Sequence, residues 1–109
     1  MSFVTTHVLN TVAGEPGRKV PVVLKFRETA AESWTILGQG VTDENGRLQD
    51  LVPANYRAKP GHYCLTFDST SLSKFFPEVS VHFAVSDPRQ QYHIPLLLSE
   101  FGYTTYRGT

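Results

Sequence analysis

Cysteine is nearly absent from this sequence of 109 residues, because Cys64 is the only one. A single cysteine forms no disulfide within the chain, and such a sequence is typical of a reducing compartment. Net charge is absent as well, since ten acidic residues balance ten Lys and Arg residues. Without a basic run, the sequence gives no electrostatic reason to expect nucleic acid or an anionic membrane as a partner.

Long apolar segments are also missing. No apolar run approaches the roughly 20 residues of a membrane-spanning helix, and the first residues, MSFVTT, lack the basic and apolar regions of a signal peptide. The last three residues are not the peroxisomal address Ser-Lys-Leu. We therefore expect a cytoplasmic protein, although a peroxisomal location reached by another route stays open. The length suits a single domain over residues 1–109.

The sequence does contain a clear alternation of apolar and polar residues. Apolar side chains recur at every second position in VPVVLKF (20–26), HYCLTF (62–67), EVSVHFAV (78–85) and QYHIPLLL (91–98). This period is typical of β-strands that have one face in a core. Turn residues separate the segments, and Asn45-Gly46 is a strong signal for a tight turn. The sequence therefore predicts an all-β sandwich or barrel, with one short helix over STSLSKFF (69–76).

The outward faces of the first and last long strands carry residues that are unusual for a surface exposed to water. Opposite the core side chains of the last strand lie His93, Pro95 and Leu97, and the strand FVTTHVLN (3–10) places Thr5 and His7 outward. Apolar residues around a few polar ones are typical of a subunit interface or a binding groove. The alternative is an exposed sheet with two incidental histidines.

Of the kinds of catalytic site that use histidine, the sequence favours one for His7 and His93. A side chain with a pKa near 6.5 suits general acid–base catalysis. The pair does not complete a zinc site, because a catalytic zinc has three protein ligands as a rule and no HxH or HExxH motif is present. No GxSxG elbow supports a Ser-His-Asp triad. Arg47, which follows the Asn-Gly turn, is either a solvated turn residue or a cation that holds a planar anion.

Four stretches together resemble one known family. HVLN (7–10), GVTDENGR (40–47), FFPEVSVHF (75–83) and YHIPLLLSEFGYTTYRGT (92–109) are similar to the transthyretin-related 5-hydroxyisourate hydrolases. The final YRGT is the most specific part, because these enzymes typically end in Tyr-Arg-Gly-Ser, whereas the hormone-carrying transthyretins lack that tetrapeptide.

The resemblance implies a fold, an assembly and a reaction. The fold is a transthyretin-like (prealbumin-like) sandwich of two four-stranded sheets with one short helix, and the assembly is a homotetramer, a dimer of dimers, with sites at the mouths of a central channel. The reaction is hydrolysis of 5-hydroxyisourate to 2-oxo-4-hydroxy-4-carboxy-5-ureidoimidazoline in urate breakdown, without a metal or cofactor. The implied catalytic residues are His7, Arg47, His93 and Thr109, and the implied substrate-binding residues are Arg47, Tyr106, Arg107 and Gly108.

Two positions depart from the family pattern. Asn10 stands where the family's usual HVLD has Asp, and Thr109 stands where Ser is typical. We expect Thr109 to alter the rate without removing function, because it keeps the hydroxyl but its β-branch stiffens the side chain. The resemblance favours His93 as the general base but leaves its order with His7 open, and it leaves open a covalent intermediate on Thr109 or Cys64.

Two other functions use similar scaffolds. One is a non-catalytic carrier that binds a small apolar ligand in the tetramer channel, and the other is a β-sandwich interaction module. Since one fold hosts many functions, the scaffold does not decide between them. The discriminating feature is the set formed by His7, Arg47, His93 and YRGT, for which a carrier has no need.

Overall fold

A computed structural model describes residues 3–109, which form nine strands in two sheets. The strands are β1 (Val4–Asn10), β2 (Glu15–Pro16), β3 (Pro21–Arg27), β4 (Thr35–Val41), β5 (Arg47–Leu48), β6 (Gly61–Asp68), β7 (Glu78–Val85), β8 (Tyr92–Leu98) and β9 (Tyr103–Thr105). The prediction of an all-β sandwich is confirmed. Within this range there is no helix that has the length and apolar character to cross a membrane.

The first sheet is built around β1 and β8, which run parallel to each other. Strands β2 and β5 pair with β1, and β9 pairs antiparallel with β8, so this sheet has five strands instead of the expected four. In the register of this sheet, Thr5 lies opposite His93, and His7 lies opposite both Arg47 and Pro95. Residues that alternate on paired strands share a face, and the outward face of this sheet therefore collects the side chains singled out from the sequence.

The second sheet has the order β4-β3-β6-β7, and all of its neighbours are antiparallel. The pairing of β3 with β4 shifts between Leu24 and Lys25, next to Gly38, which is the irregularity of a β-bulge. A Cβ on Gly38 would lie 1.6 Å from the carbonyl oxygen of Leu51. Only glycine fits this approach, which brings the 51–52 segment against the sheet.

The core lies between the two sheets and is filled by every second residue of the long strands. The alternation predicted for β3, β6, β7 and β8 is confirmed, because the residues assigned inward are buried or half-buried. Side chains at most 1% exposed come from both sheets: Val4, Val8, Val22, Leu24, Tyr63, Leu65, Phe67, Val79, Leu96 and Leu98. Removal of this apolar surface from water is the main force that holds the sheets together.

The helix predicted over residues 69–76 is a single turn. The N–H groups of Leu72 and Ser73 both donate to the carbonyl of Ser69 at 3.0 Å, but no further helical turn follows. Serine hydroxyls compete with the helix: Ser69 Oγ donates to the carbonyl of Phe76, and Ser73 Oγ accepts from the N–H of Phe76 at 3.0 Å. Such local side-chain bonds offer the backbone an alternative to helical pairing.

Candidate active site

A cavity of about 530 Å³ opens on the outward face of the first sheet. Strands β1, β5 and β8 and the segment after β9 provide its walls, which consist of Thr5, Arg47, Gln49, Gln91, His93, Arg107, Gly108 and Thr109. Five of the seven site residues expected from the resemblance are in this set. His7 and Tyr106 are the two that are not among the lining residues.

The turn before β5 fixes the position of Arg47. The Asp43 carboxylate accepts hydrogen bonds from the N–H groups of Arg47 at 2.9 Å and Asn45 at 2.8 Å, and these bonds lower the pKa of Asp43 below its usual value. Gly46 has a φ of 77°, and a Cβ there would lie 2.4 Å from the carbonyl oxygen of Val8. This position therefore requires glycine. The turn holds Arg47 at the edge of β1, and its guanidinium makes no ion pair within residues 3–109.

His7 lies beside this turn. Its Nε2 is 2.9 Å from the carbonyl oxygen of Asn45. A carbonyl oxygen only accepts hydrogen bonds, so Nε2 carries the proton and Nδ1 is the nitrogen with a free lone pair in the neutral ring. Although His7 does not line the cavity, its charge helps to lower the pKa of His93. The two histidines are therefore electrostatic neighbours on one face of the sheet.

His93 is half-buried in the cavity wall. Its Nδ1 is 2.8 Å from Oγ1 of Thr5, the residue directly opposite on β1. Burial lowers the pKa of His93 below its ordinary value, and the positive charges of Arg47 and His7 lower it further. The ring is thus neutral at pH 7 and able to accept a proton.

The segment after β9 is attached to the strand that carries His93. Gly108 forms an isolated bridge with His93, and its N–H donates to the His93 carbonyl at 2.7 Å. A Cβ on Gly108 would lie 2.7 Å from Cδ2 of His93, closer than any two unbonded carbons rest. Glycine at this position lets the backbone lie against the imidazole, so the tail shapes the site.

The other tail residues differ in their placement. The guanidinium of Arg107 lies 4.4 Å above the ring centre of Tyr92 and donates to Oε1 of Gln90 at 2.7 Å, so Arg107 braces the tail while it lines the cavity. Thr109 also lines the cavity. Tyr106, one of the implied substrate-binding residues, is 54% exposed and lies outside the lining.

The remaining polar residues noted in the sequence lie elsewhere. Asn10 accepts hydrogen bonds from the N–H groups of residues 12 and 13 at 3.1 and 3.2 Å, so its amide closes the turn after β1 and does not orient His7. His62 and His82 form a hydrogen-bonded pair at 2.8 Å on the outward face of the second sheet. Cys64 is buried there on β6. In the described part of the chain, no three His, Cys, Asp or Glu side chains come together in a way that would hold a metal ion.

Three of the lining residues have no role among the expectations drawn from the sequence. Alternation places Thr5 on the outward face without giving it a function, and no motif in the sequence points to Gln49 or Gln91. Their spacing was the available signal, because Gln49 follows Arg47 by two positions and Gln91 precedes His93 by two. In an extended chain, residues two apart point to the same side. Their amides add hydrogen-bond donors and acceptors to the cavity.

The arrangement can bind and hydrolyse a small polar molecule. Arg47 offers a planar fork of donors for a negative or carbonyl oxygen, and neutral His93 is available as a proton acceptor a short distance along the same wall. Seven of the eight lining residues are polar and the eighth is glycine. These walls complement a heterocycle rich in N–H and C=O groups better than an apolar ligand.

Comparison with known proteins places the chain in one family. Residues 4–108 match the model of the HIUase/Transthyretin family. The chain is 40% identical to the 5-hydroxyisourate hydrolase of Salmonella dublin over 116 aligned residues, which cover 99% of this chain and 82% of the relative. It superimposes on Klebsiella pneumoniae 5-hydroxyisourate hydrolase with a TM-score of 0.81, 27% identity and full coverage of both chains. Sea bream transthyretin in complex with thyroxine gives a TM-score of 0.85 and 27% identity over 97% of this chain and 94% of that one. This chain belongs to the HIUase/Transthyretin family.

Proposed function

We propose that residues 1–109 form a single hydrolase domain that opens the ring of 5-hydroxyisourate in urate breakdown. The observation that carries this proposal is the cavity in which Arg47, neutral His93 and the tail residues Arg107, Gly108 and Thr109 meet. The relatives named 5-hydroxyisourate hydrolase support the choice of substrate. The side chains of the cavity provide a cation and a proton acceptor, which are the groups that a general acid–base hydrolysis requires.

The proposed reaction consumes one water molecule. Water adds to a ring carbonyl of 5-hydroxyisourate, and the carbon–nitrogen bond of that cyclic amide then breaks. The carbonyl carbon becomes the carboxyl group of 2-oxo-4-hydroxy-4-carboxy-5-ureidoimidazoline. The released nitrogen takes up a proton and becomes part of the ureido group, so the atoms of substrate and water are all present in the product.

In this mechanism His93 is the general base. Its Nδ1 contacts Thr5, and within residues 3–109 its Nε2 has no hydrogen-bond partner, so Nε2 is the atom that takes the proton from water. A lowered pKa keeps the ring in the accepting form at pH 7. Arg47 binds the substrate and stabilises the negative charge that develops on the carbonyl oxygen, an interaction that grows in the transition state.

His7 has the second histidine role in the proposal, which is to orient the water or to protonate the departing nitrogen. Its Nε2–H is used by the carbonyl of Asn45. Nδ1 is therefore the atom of His7 that remains for catalysis: in the neutral ring it accepts a hydrogen bond from the water, and only in the imidazolium does it carry a proton for the departing nitrogen. Because His7 does not line the cavity, we assign it to the edge of the site, where it acts next to Arg47.

The tail contributes binding and shape. Thr109 positions the water or the substrate through its hydroxyl, and Arg107 holds the segment by stacking on Tyr92. Tyr106 is exposed in the single chain. In the proposal it contributes to the wall of the site when a second chain packs against it.

The alternative function is a carrier of a small apolar ligand. The match to transthyretin in complex with thyroxine is the observation that favours this alternative, because the two scaffolds superimpose closely. The polar lining of the cavity opposes it, since an apolar ligand would cover the Arg47 guanidinium and Nε2 of His93 without offering either a hydrogen-bond partner.

We also propose that four chains assemble as a homotetramer, a dimer of dimers. Large apolar side chains are exposed at one end of the first sheet: Phe75 (63%), Phe101 (75%) and Tyr103 (44%). Phe75 and Phe101 contact each other with ring centres 5.8 Å apart, beside the open edge strand β9. Contiguous exposed aromatic residues next to an unpaired strand edge are typical of a subunit interface. Light scattering during gel filtration tests the proposal, which requires four times the mass of one chain.

The test of function is a rate measurement. 5-Hydroxyisourate is generated in situ from urate, and its ultraviolet decay is followed with and without micromolar protein. We expect a clear acceleration that is lost in His93→Gln and in a chain lacking residues 106–109. The matched control is His82→Gln, which changes a histidine on the opposite sheet and should keep full activity. No acceleration by the unmodified chain would refute the hydrolase and favour the carrier.

A further inference from the structure

We propose that Thr5 is a positioning residue of the hydrolytic site: it holds the imidazole of His93 so that Nε2 faces the cavity as the proton acceptor. This inference rests on the proposed function, because it assigns a role within the same reaction. Thr5 acts through His93 and has no part in bond making or breaking.

The strand register brings the two residues together. Thr5 and His93 are directly opposite on the parallel strands β1 and β8, and both point to the outward face of the first sheet. Oγ1 of Thr5 lies 2.8 Å from Nδ1 of His93, a good hydrogen-bond distance. Thr5 is only 7% exposed, so water competes little for this bond. A β-branched residue on a strand also has few rotamers, which keeps the hydroxyl in place.

The imidazole is held on two edges. Thr5 contacts Nδ1 on one edge, and the backbone of Gly108 lies against Cδ2 on the other. Rotation of the ring would break the first contact or collide with the second. The part of the ring left to the cavity is the Nε2 side, which is the side that a general base must present.

A hydroxyl both donates and accepts, so the Thr5 contact admits either tautomer of neutral His93. The proposal takes the tautomer in which Nδ1–H donates to Thr5, because a general base at Nε2 needs its lone pair there. When Thr5 Oγ1 accepts from Nδ1–H, the neutral ring has its lone pair on Nε2. When Nε2 then takes a proton from water, the Nδ1–H bond to Thr5 persists and becomes stronger, because its donor is now charged. The same bond therefore serves both protonation states of His93 without a rearrangement.

A neutral partner differs from a carboxylate in its effect on basicity. A carboxylate beside Nδ1 would favour the imidazolium and raise the pKa of His93. Thr5 adds no charge, and the charged or titratable groups that face His93 from neighbouring elements are His7 on β1, Arg47 on β5 and Arg107 on the tail. The site therefore orients its base without protonating it at neutral pH.

A kinetic comparison of three variants tests the role of Thr5. Thr5→Val keeps the shape of the side chain but removes the hydroxyl, and Thr5→Ser keeps the hydroxyl. Thr6→Val is the matched control, because Thr6 is also a buried threonine of β1 but faces the core, where Oγ1 donates to the carbonyl of Ile94 at 2.6 Å.

We expect Thr5→Val to lower kcat roughly 10- to 100-fold with KM changed less than about threefold. Its acidic limb in the pH profile should move to lower pH, because the imidazolium loses a hydrogen bond. Thr5→Ser should recover most of kcat. Thr6→Val should lower the melting temperature but keep the pH profile. An unshifted profile in Thr5→Val, or equal losses of kcat in Thr5→Val and Thr6→Val, would overturn the proposal.

A second measurement does not depend on activity. Long-range proton–nitrogen NMR spectra of ¹⁵N-labelled protein at pH 8 report the tautomer of each histidine, and the signals of His93 are those missing from His93→Gln. We expect the Nδ1–H tautomer in the unmodified chain and its loss in folded Thr5→Val. An Nε2–H tautomer in the unmodified chain would refute the role of Thr5. If the chain does not hydrolyse 5-hydroxyisourate, the proposed function fails, but this spectrum still decides whether Thr5 orients His93.

Discussion

The lack of a side chain at Gly108 leads to a sharp prediction for the variant Gly108→Ala. The added methyl carbon would lie 2.7 Å from Cδ2 of His93 and 3.5 Å from both Cγ and the carbonyl oxygen. Unbonded carbons rest about 3.5–4.0 Å apart, so the overlap is about 1 Å and either the ring or the tail must move. The backbone of Gly108 is not in the positive-φ region, and alanine is therefore excluded by space alone.

Both ways of relieving the overlap damage the site. If the imidazole rotates, it loses the 2.8 Å bond to Thr5 and Nε2 no longer points into the cavity. If the tail moves, the 2.7 Å bond from the Gly108 N–H to the His93 carbonyl lengthens and Thr109 leaves the wall. A displacement of about 1 Å in a catalytic group lowers a rate by up to about 100-fold. The free energy of unfolding should fall by only about 1 kcal/mol, because the tail is at the surface.

The assay compares kcat of Gly108→Ala with that of Gly102→Ala. Gly102 lies in the turn between β8 and β9, and a Cβ there would meet only Ser99 Oγ at 3.6 Å, an ordinary contact. We expect a loss of at least 10-fold for Gly108→Ala and less than twofold for Gly102→Ala, with both variants folded at 25 °C. Full turnover in Gly108→Ala would refute the inference that the tail and His93 form one unit.

Three further predictions follow from the charges of the chain. Arg47→Lys should lower kcat/KM by about 10- to 100-fold because an ammonium lacks the planar fork of donors, whereas Arg18→Lys, a change in an exposed ion pair with Glu44, should have no effect. Arg47→Gln should move the acidic limb of the kcat/KM profile to higher pH, because it removes a cation that lowers the pKa of His93; an unmoved limb would contradict that cause. Burial and the neighbouring His62 lower the pKa of His82, so below about pH 6.5 the unfolded chain binds more protons than the folded chain. The free energy of unfolding should therefore decrease as the pH is lowered through this range. Chemical unfolding at pH 7.5 and 5.5 should show a smaller decrease for His82→Gln than for the unmodified chain.

The strands of this fold could be predicted from sequence because their signal is local. The inward positions of β6 and β8 repeat every two residues, and this period depends only on the geometry of an extended chain. The turn at 69–73 could not be predicted in the same way. Its serine hydroxyls bond to carbonyls at Phe76 and Glu100, contacts that exist only after the chain has folded. These bonds replace the helix that the local sequence predicts for residues 69–76.

The same distinction between local and long-range signals applies to the candidate site. Alternation predicted that Thr5 and His93 both face outward, but it did not predict that they face each other. That contact joins residues 88 positions apart and follows from the parallel pairing of β1 with β8. Parallel neighbours need no fixed separation in sequence, because a long crossover connects them. The place of Gln49 and Gln91 in the cavity wall could have been predicted from the sequence, since each lies two positions from a candidate site residue.

We propose that the placement of YRGT is what separates two functions on one scaffold. Strand β8 pairs with β1 along one edge, and its other edge pairs with β9 and the tail. The segment that pairs with this second edge determines which side chains lie on the outward face. In this chain Thr105 Oγ1 donates to the Pro95 carbonyl at 2.8 Å, and the Gly108 bridge to His93 extends this pairing to the cavity. The backbone of β8 therefore holds the tail and the histidine in one rigid frame. Arg107 and Thr109, held at this edge, line the cavity with polar groups that would be poor neighbours for the apolar ligand of a carrier. We therefore infer that the functional difference between carrier and hydrolase lies at this strand edge and not in the sheets themselves.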